Sequence, residues 1–144
     1  RVKVSDVMTR NFPTVPFTMP VDELLHRMEA VGELGFPVVD EAGRLGGIVT
    51  LSDIHTGMEK KGGNAGGPLK VADIATTGAL IKAYPDQTLH EVLLQMGARE
   101  VGHIPVVDRS DPQRVVGVLR RHDIVRAYIR GVARQAGSDP VPRP

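Results

Sequence analysis

The sequence predicts an α+β fold of the mixed α/β kind: two pseudo-symmetric copies of one unit, each a small three-stranded sheet with two helices, packed sheet to sheet. The first observation behind this is an internal repeat. VSDVMT at 4–9 returns as VADIAT at 71–76, VDELLHRM at 21–28 as LHEVLLQM at 89–96, GFPVVD at 35–40 as HIPVVD at 103–108, and GIVTLSDI at 47–54 as GVLRRHDI at 117–124. Four blocks in one order, with length changes confined to loops, mark a duplication. The second observation is that each copy mixes apolar residues at helical spacing with short aliphatic runs of strand type. The third is size, since a unit of roughly 60 residues leaves one face of its small sheet bare and needs a second layer to cover it.

Each copy opens with a short segment, Val4 to Met8 or Val71 to Ala75, leading into an extended stretch, Thr14 to Phe17 or Ala79 to Tyr84. A helix follows on Val21, Leu24, Leu25 and Met28, matched by Leu89, Val92, Leu93 and Met96. Pro20 suits its first turn, where a missing N–H costs nothing, and Thr88 offers an N-cap hydroxyl. Phe36 to Val39 and Ile104 to Val107 read as buried strands, and EAGRLG (41–46) and RSDPQR (109–114) as turns. Gly47 to Thr50 and Val116 to Leu119 read as last strands, each running into a closing helix at Asp53 or Asp123. The expected boundaries are 4–58 for copy one, 59–70 for a Gly-rich linker containing GGNAGG, 71–132 for copy two and 133–144 for a flexible tail.

Composition narrows the function. With 144 residues, 41% hydrophobic, 24% charged and a net charge of +1, the chain is globular rather than a disordered tail or a basic nucleic-acid arm. No cysteine means no disulfide and no thiolate metal site, which suits a reducing compartment. His26, His55, His90, His103 and His122 are scattered without ligand spacing, so no metal is predicted. No nucleophile with a base, phosphate loop of the P-loop type or placed pair of acids is visible, and the module is not expected to be an enzyme. Two Tyr, three Phe and no Trp give little for stacking on bases, so nucleic acid is not an expected partner. No run reaches the roughly 18 apolar residues of a membrane span. The expected location is cytoplasmic, and because the chain starts at Arg1 without an initiator Met it can be a piece of a longer protein. Arg126, Arg130 and Arg134 form a basic stripe that reads as a solvated face or as a surface for a membrane, a nucleic acid or a partner.

PVVD in each half, followed by a Gly-aliphatic-aliphatic-x-x-x-Asp element, resembles a tandem pair of cystathionine-beta-synthase (CBS) domains, the Bateman module, from Val4 to about Ile129. The resemblance implies a regulatory module that binds adenosine nucleotides (ATP, ADP or AMP), or in some members S-adenosylmethionine, in clefts between the repeats, and that forms a homodimer. Short leading segments and outer helix faces are both candidate dimer surfaces. GFPVVD with GVLRRHD and the tail RAYIRG further resembles the cytoplasmic CBS pair of chloride channels and transporters, implying a channel membrane domain as partner. The alternatives are a stand-alone or enzyme-attached adenylate sensor and a ligand-free dimerisation scaffold.

Residue chemistry allows two roles for the closing aspartates. One carboxylate can accept hydrogen bonds from both hydroxyls of a ribose, with Thr50 one turn earlier and free helix-start amides near a phosphate. Equally, Ser52 can cap the helix with Asp53 in its first turn. Copy two keeps Asp123 while replacing Thr50 and Ser52 with Arg120 and His122, a pattern that favours binding over capping alone. The resemblance implies clefts that join the closing Asp of one copy to the strands of the other. The first would use Arg120, Arg121, His122 and Asp123 with Thr14, Val15, Leu34, Gly35, Phe36 and Pro37. The second would use Thr50, Ser52 and Asp53 with Ile81, Lys82, Ala83, Gly102, His103, Ile104 and Pro105. Arginine suits phosphate in the first cleft and His103 in the second, with adenine between aliphatic walls. Glu33 and Leu34 stand where the chloride-transport branch often carries an aromatic residue.

Overall fold

Along the chain the elements follow as α1 (Val4–Val7), β1 (Val15–Pro16), α2 (Val21–Val31), β2 (Gly35–Val39), β3 (Leu45–Thr50), α3 (Leu51–Lys61), α4 (Val71–Ile74), α5 (Leu89–Met96), β4 (His103–Asp108), β5 (Asp111–Arg120) and α6 (Arg121–Gln135). The computed structural model describes residues 1–61, 67–99 and 101–135, so linker residues 62–66 and tail residues 136–144 lie outside it. One sheet has the order β1-β2-β3, with β1 parallel to β2 (Val15 beside Val38) and β2 antiparallel to β3 (Gly35 opposite Thr50). The other pairs β4 with β5. The place of its expected third strand is taken by one parallel bridge, in which Ala83 N–H donates to Pro105 and Val107 N–H donates to the Ala83 carbonyl. The extended run stops there because Tyr84 N–H turns to the Gln87 side chain at 2.8 Å. The architecture is the expected α+β one, with one sheet in each copy.

The chain divides into two compact units whose bounds differ from the simple halves of the repeat. The first comprises Arg1–Arg10, Ile81–Pro112 and the chain from Val116 on; the second comprises Asn11–Leu80 with Gln113–Val115. Each leading helix therefore belongs to the unit built on the other copy. In the first unit, the opening amides of α1, Val4 and Ser5, donate to the carbonyls of Gln87 and Pro85 at 2.9 and 3.0 Å. In the second, Val71 and Ala72 of α4 donate to Met19 and Phe17, both at 2.9 Å. These are amides that a helix start would otherwise leave without partners. Asp6 and Asp73 repeat one device, accepting the N–H of Lys3 and Lys70 at 2.9 and 2.8 Å.

Beyond each turn the chain joins a strand. Thr9 and Val118 exchange backbone bonds in an antiparallel bridge, and so do Thr76 and Ile48. This close approach explains Gly47 and Gly117. A Cβ at Gly47 would lie 2.8 Å from the Thr76 carbonyl oxygen, and one at Gly117 would lie 3.2 Å from that of Thr9 and 2.7 Å from the Met8 sulfur.

Each unit has its own apolar core. Val4, Met8, Leu89, Val92, Met96, Ile104, Val106, Leu119 and Ile124 pack in the first, and Val15, Val21, Leu24, Met28, Phe36, Val38, Val49, Ile54 and Val71 in the second. Leu25, expected on the buried face of α2, is exposed, because only Val21, Leu24 and Met28 fall within the stripe that meets the sheet. Pro20 sits at the N-cap, one residue before the helix rather than in its first turn. Thr88 caps α5 as expected, accepting Glu91 N–H while Glu91 accepts Thr88 N–H.

The aspartates of the two PVVD strings shape the turns. Asp40 Oδ1 accepts the N–H groups of Ala42 and Arg44, each at 2.9 Å, and Asp108 Oδ1 accepts Ser110 N–H and Oγ–H at 2.9 and 2.8 Å. The second turn is tightened to Arg109 and Ser110, so β5 begins at Asp111 and residues 111–114, expected in the turn, are strand. Arg109 also donates to Asp86 at 3.0 Å and lies 4.3 Å from the Tyr84 ring centre.

Two predictions follow from this frame. Gly47→Ala should cost about 1–3 kcal/mol in urea denaturation, since a backbone carbonyl cannot retreat. Gly117→Ala should cost less, because the Met8 thioether can rotate away. Losses below about 0.5 kcal/mol at both would show that the leading segments are not held against the strands. The hydrogen bond from the Arg44 backbone lowers the pKa of Asp40 below the ordinary 3.8, and the Arg109 side-chain hydrogen bond lowers that of Asp86. Their stabilisation is therefore complete above that ordinary value and lost as pH falls through the lower folded pKa. Carboxyl NMR titration checks this, and a midpoint at or above 3.8 for Asp40 would contradict the turn hydrogen bonds.

Candidate functional site

Strand direction gathers the expected residues at one edge of each sheet. In the second unit, β1 and β2 run parallel and β3 opposite, so Thr14 before β1, Leu34 and Gly35 at the start of β2, and Thr50 at the end of β3 share an edge. There α3 starts, with Leu51 N–H donating to the Leu34 carbonyl at 3.0 Å. The first unit repeats this. Arg121 N–H donates to the Gly102 carbonyl at 2.9 Å where α6 starts, which puts Gly102 and His103 beside Arg120. The expected pairing of Asp123 with Thr14 to Pro37, and of Asp53 with Ile81 to Pro105, joins residues of different units and is not part of either unit's own geometry.

Burial separates side chains that can meet a ligand from those that pack. Val15, Phe36, Ala83, Ile104 and Ile81 are buried and their side chains fill the cores, and Gly35, Pro37 and Pro105 are buried beside them, so none of these lines an open surface. Leu34, Ser52, Gly102, Arg121 and His122 are exposed; Thr14, Thr50, Asp53, Lys82, His103, Arg120 and Asp123 are half-buried. The Lys82 carbonyl accepts a bond from the Gln95 amide at 3.1 Å.

The two aspartates hold the strand-to-helix junctions differently. Asp53 Oδ2 accepts both the N–H and the hydroxyl of Thr50, at 2.9 and 3.1 Å, and the Thr50 Oγ accepts Asp53 N–H at 3.3 Å. That is a reciprocal capping box, and the cap is Thr50 instead of the expected Ser52. The reason is reach: α3 begins at Leu51, which makes Ser52 a residue of the first turn. Asp53 Oδ1 makes no hydrogen bond among the described residues. In the other copy Arg120 occupies the place of Thr50 and its Nε donates to Asp123 Oδ2 at 2.7 Å, while His122 Nε2 lies 3.4 Å from Oδ1. Both oxygens of Asp123 therefore face a nitrogen.

A groove of about 950 Å³ lies wholly within the first unit, between α1, the start of α5 and the length of α6. Arg126, Arg130 and Arg134, legible in the sequence only as a stripe, line it together with Arg120 and Asp123. Its lining from α1 had no sequence signal, because nothing local in VSDVMT says that it packs on the other copy. Among the described residues no group of His, Cys, Asp and Glu could hold a metal, and no helix is long and apolar enough to cross a membrane.

Thr50→Ala should lower stability by about 1 kcal/mol in denaturant melts, and Ser52→Ala by under about 0.5 kcal/mol. The reverse order would return the cap to Ser52.

The CBS domain family model matches residues 4–59 and 71–130. The chain is 31% identical over 124 residues to inosine-5'-monophosphate dehydrogenase of Methanocaldococcus jannaschii and 27% identical over 123 residues to homoserine O-acetyltransferase of Methanohalobium evestigatum. These alignments cover 86% and 85% of the chain but 23% of each relative, so the chain spans less than a quarter of either. The CBS domain pair of protein MJ0100, solved in complex with 5'-methylthioadenosine and S-adenosyl-L-methionine, is similar in fold, with 26% identity, a TM-score of 0.72 and coverage of 88% of this chain and 95% of that one.

Proposed function

The chain belongs to the CBS domain family, with one matched copy in each half, and from that premise we propose a regulatory, non-catalytic module that senses a ligand bearing an adenosine group. The observation that carries the reading is the half-committed carboxylate of Asp53. Its Oδ2 is held by Thr50, which fixes the group, and its Oδ1 is left to accept hydroxyl donors. A ribose diol is a matching donor pair, and bonds to an ionised acceptor are the stronger kind, about 1.5–3 kcal/mol each. Exposed Leu34 offers an apolar surface at the same sheet edge. The ligands of the MJ0100 domain pair, both adenosine derivatives, support this chemistry. Adenine nucleotides carry the same diol and belong to the proposal.

For regulation, the ligand must bind one arrangement of the protein better than another. Two of the relatives named above are metabolic enzymes, which supports an enzyme-attached or stand-alone sensor; the expected chloride-channel context draws no support from them. A homodimer is part of the proposal, with exposed Val125 and Ile129 of α6 as its candidate face.

Calorimetry with adenosine, 5'-methylthioadenosine, S-adenosylmethionine, AMP, ADP and ATP tests the reading. Heat is expected with at least one, and its 2'-deoxy counterpart should bind about tenfold or more weakly through loss of one carboxylate bond. No binding by any of the six would replace sensing with a ligand-free scaffold.

A further inference from the structure

The groove along α6 holds a concentration of charge that the fold does not require. Five arginines line it, Arg1, Arg120, Arg126, Arg130 and Arg134, against two carboxylates, Asp6 and Asp123. Both carboxylates are already engaged, Asp6 with the Lys3 backbone and Asp123 with Arg120. Arg126 reaches His122 at 3.1 Å, and among the described residues no carboxylate pairs with Arg126, Arg130 or Arg134. In a chain of net charge +1, this is a strongly local excess.

The duplication supplies an internal control. At the offset of the last block, Arg126 and Arg130 correspond to Thr56 and Lys60, and Tyr128 to Met58. The same frame is thus built in the second unit without the arginine row. Spacing by four residues places Arg126, Arg130 and Arg134 about one helical turn, roughly 6 Å, apart, on one side of the helix. Like charges so placed repel, and a linear anion laid along them relieves that repulsion. His90 and Tyr128, stacked with centres 6.0 Å apart, form an aromatic part of the wall. Guanidinium groups match phosphate oxygens with paired N–H donors.

We propose that this groove binds a linear oligophosphate, along the arginine row of α6. The phosphate chain has two sources, a free oligophosphate or the tail of a nucleoside polyphosphate. Only the second rests on the nucleotide reading above.

The test compares tripolyphosphate, adenosine and ATP by calorimetry at low and moderate salt, on the wild-type chain and on Arg130→Gln/Arg134→Gln. Tripolyphosphate should bind, weaken with salt, and lose about tenfold or more in the double variant, with a smaller loss in Arg130→Gln alone. Adenosine affinity should not change in either variant. ATP binding about tenfold tighter than adenosine, and only with both arginines present, would identify the nucleotide tail as the source. Tripolyphosphate binding without any adenosine or ATP binding would leave the inference standing with a free chain and remove the nucleotide reading. Adenosine binding with no tripolyphosphate binding, and ATP no tighter than adenosine, would overturn the inference and leave the nucleotide reading intact. Tighter binding of a short single-stranded RNA than of tripolyphosphate, lost in the same variants, would also overturn it in favour of a nucleic-acid surface.

Discussion

Two antiparallel backbone bridges, Thr9 with Val118 and Thr76 with Ile48, are the constraint on which the rest is built. Each places the chain leaving a short leading helix against the last strand of the other copy's sheet. A neutral backbone hydrogen bond contributes only about 0.5–1.5 kcal/mol net, but these bonds satisfy groups that would otherwise be stranded beside a buried strand. They also dictate residue choice, because only glycine tolerates a carbonyl so close to its Cα, as at Gly47. The same strands end at Thr50 and Arg120, where the closing helices begin. Holding the strand in register therefore also holds the polar corner in place.

Much of this was legible. The repeat, the spacing of apolar residues in α2 and α5, the aliphatic strands and the cap at Thr88 are local patterns, and local physics reproduces them. What was not legible depends on partners distant in sequence. Nothing within VSDVMT or VADIAT states that each packs on the other copy's sheet, so the bounds of the compact units could not be read from repeat boundaries. Residues 111–114 looked like a turn because Asp-Pro usually marks one, yet Asp108 closes the turn earlier and frees them for the strand. Ser52 reads as the cap only for a helix that starts at Asp53; beginning α3 at Leu51 gives that role to Thr50.

The retained aspartate was the strongest sequence argument for binding, and the structure changes its force. Both copies use that aspartate to tie the last strand to its helix, so its persistence has a structural cause independent of any ligand. The difference between copies then becomes the informative feature. A neutral hydroxyl at Thr50 satisfies one carboxylate oxygen of Asp53 without cancelling its charge, which leaves an acceptor poised for hydroxyl donors. A guanidinium at Arg120 pairs with the charge of Asp123 and brings a cation to the head of α6. The same backbone frame thus presents an acceptor in one copy and a row of donors in the other. Duplication kept the geometry and divided the chemistry, so the corner within each unit suits a different group: hydroxyl donors at Asp53 in one, anionic oxygens at the arginines in the other.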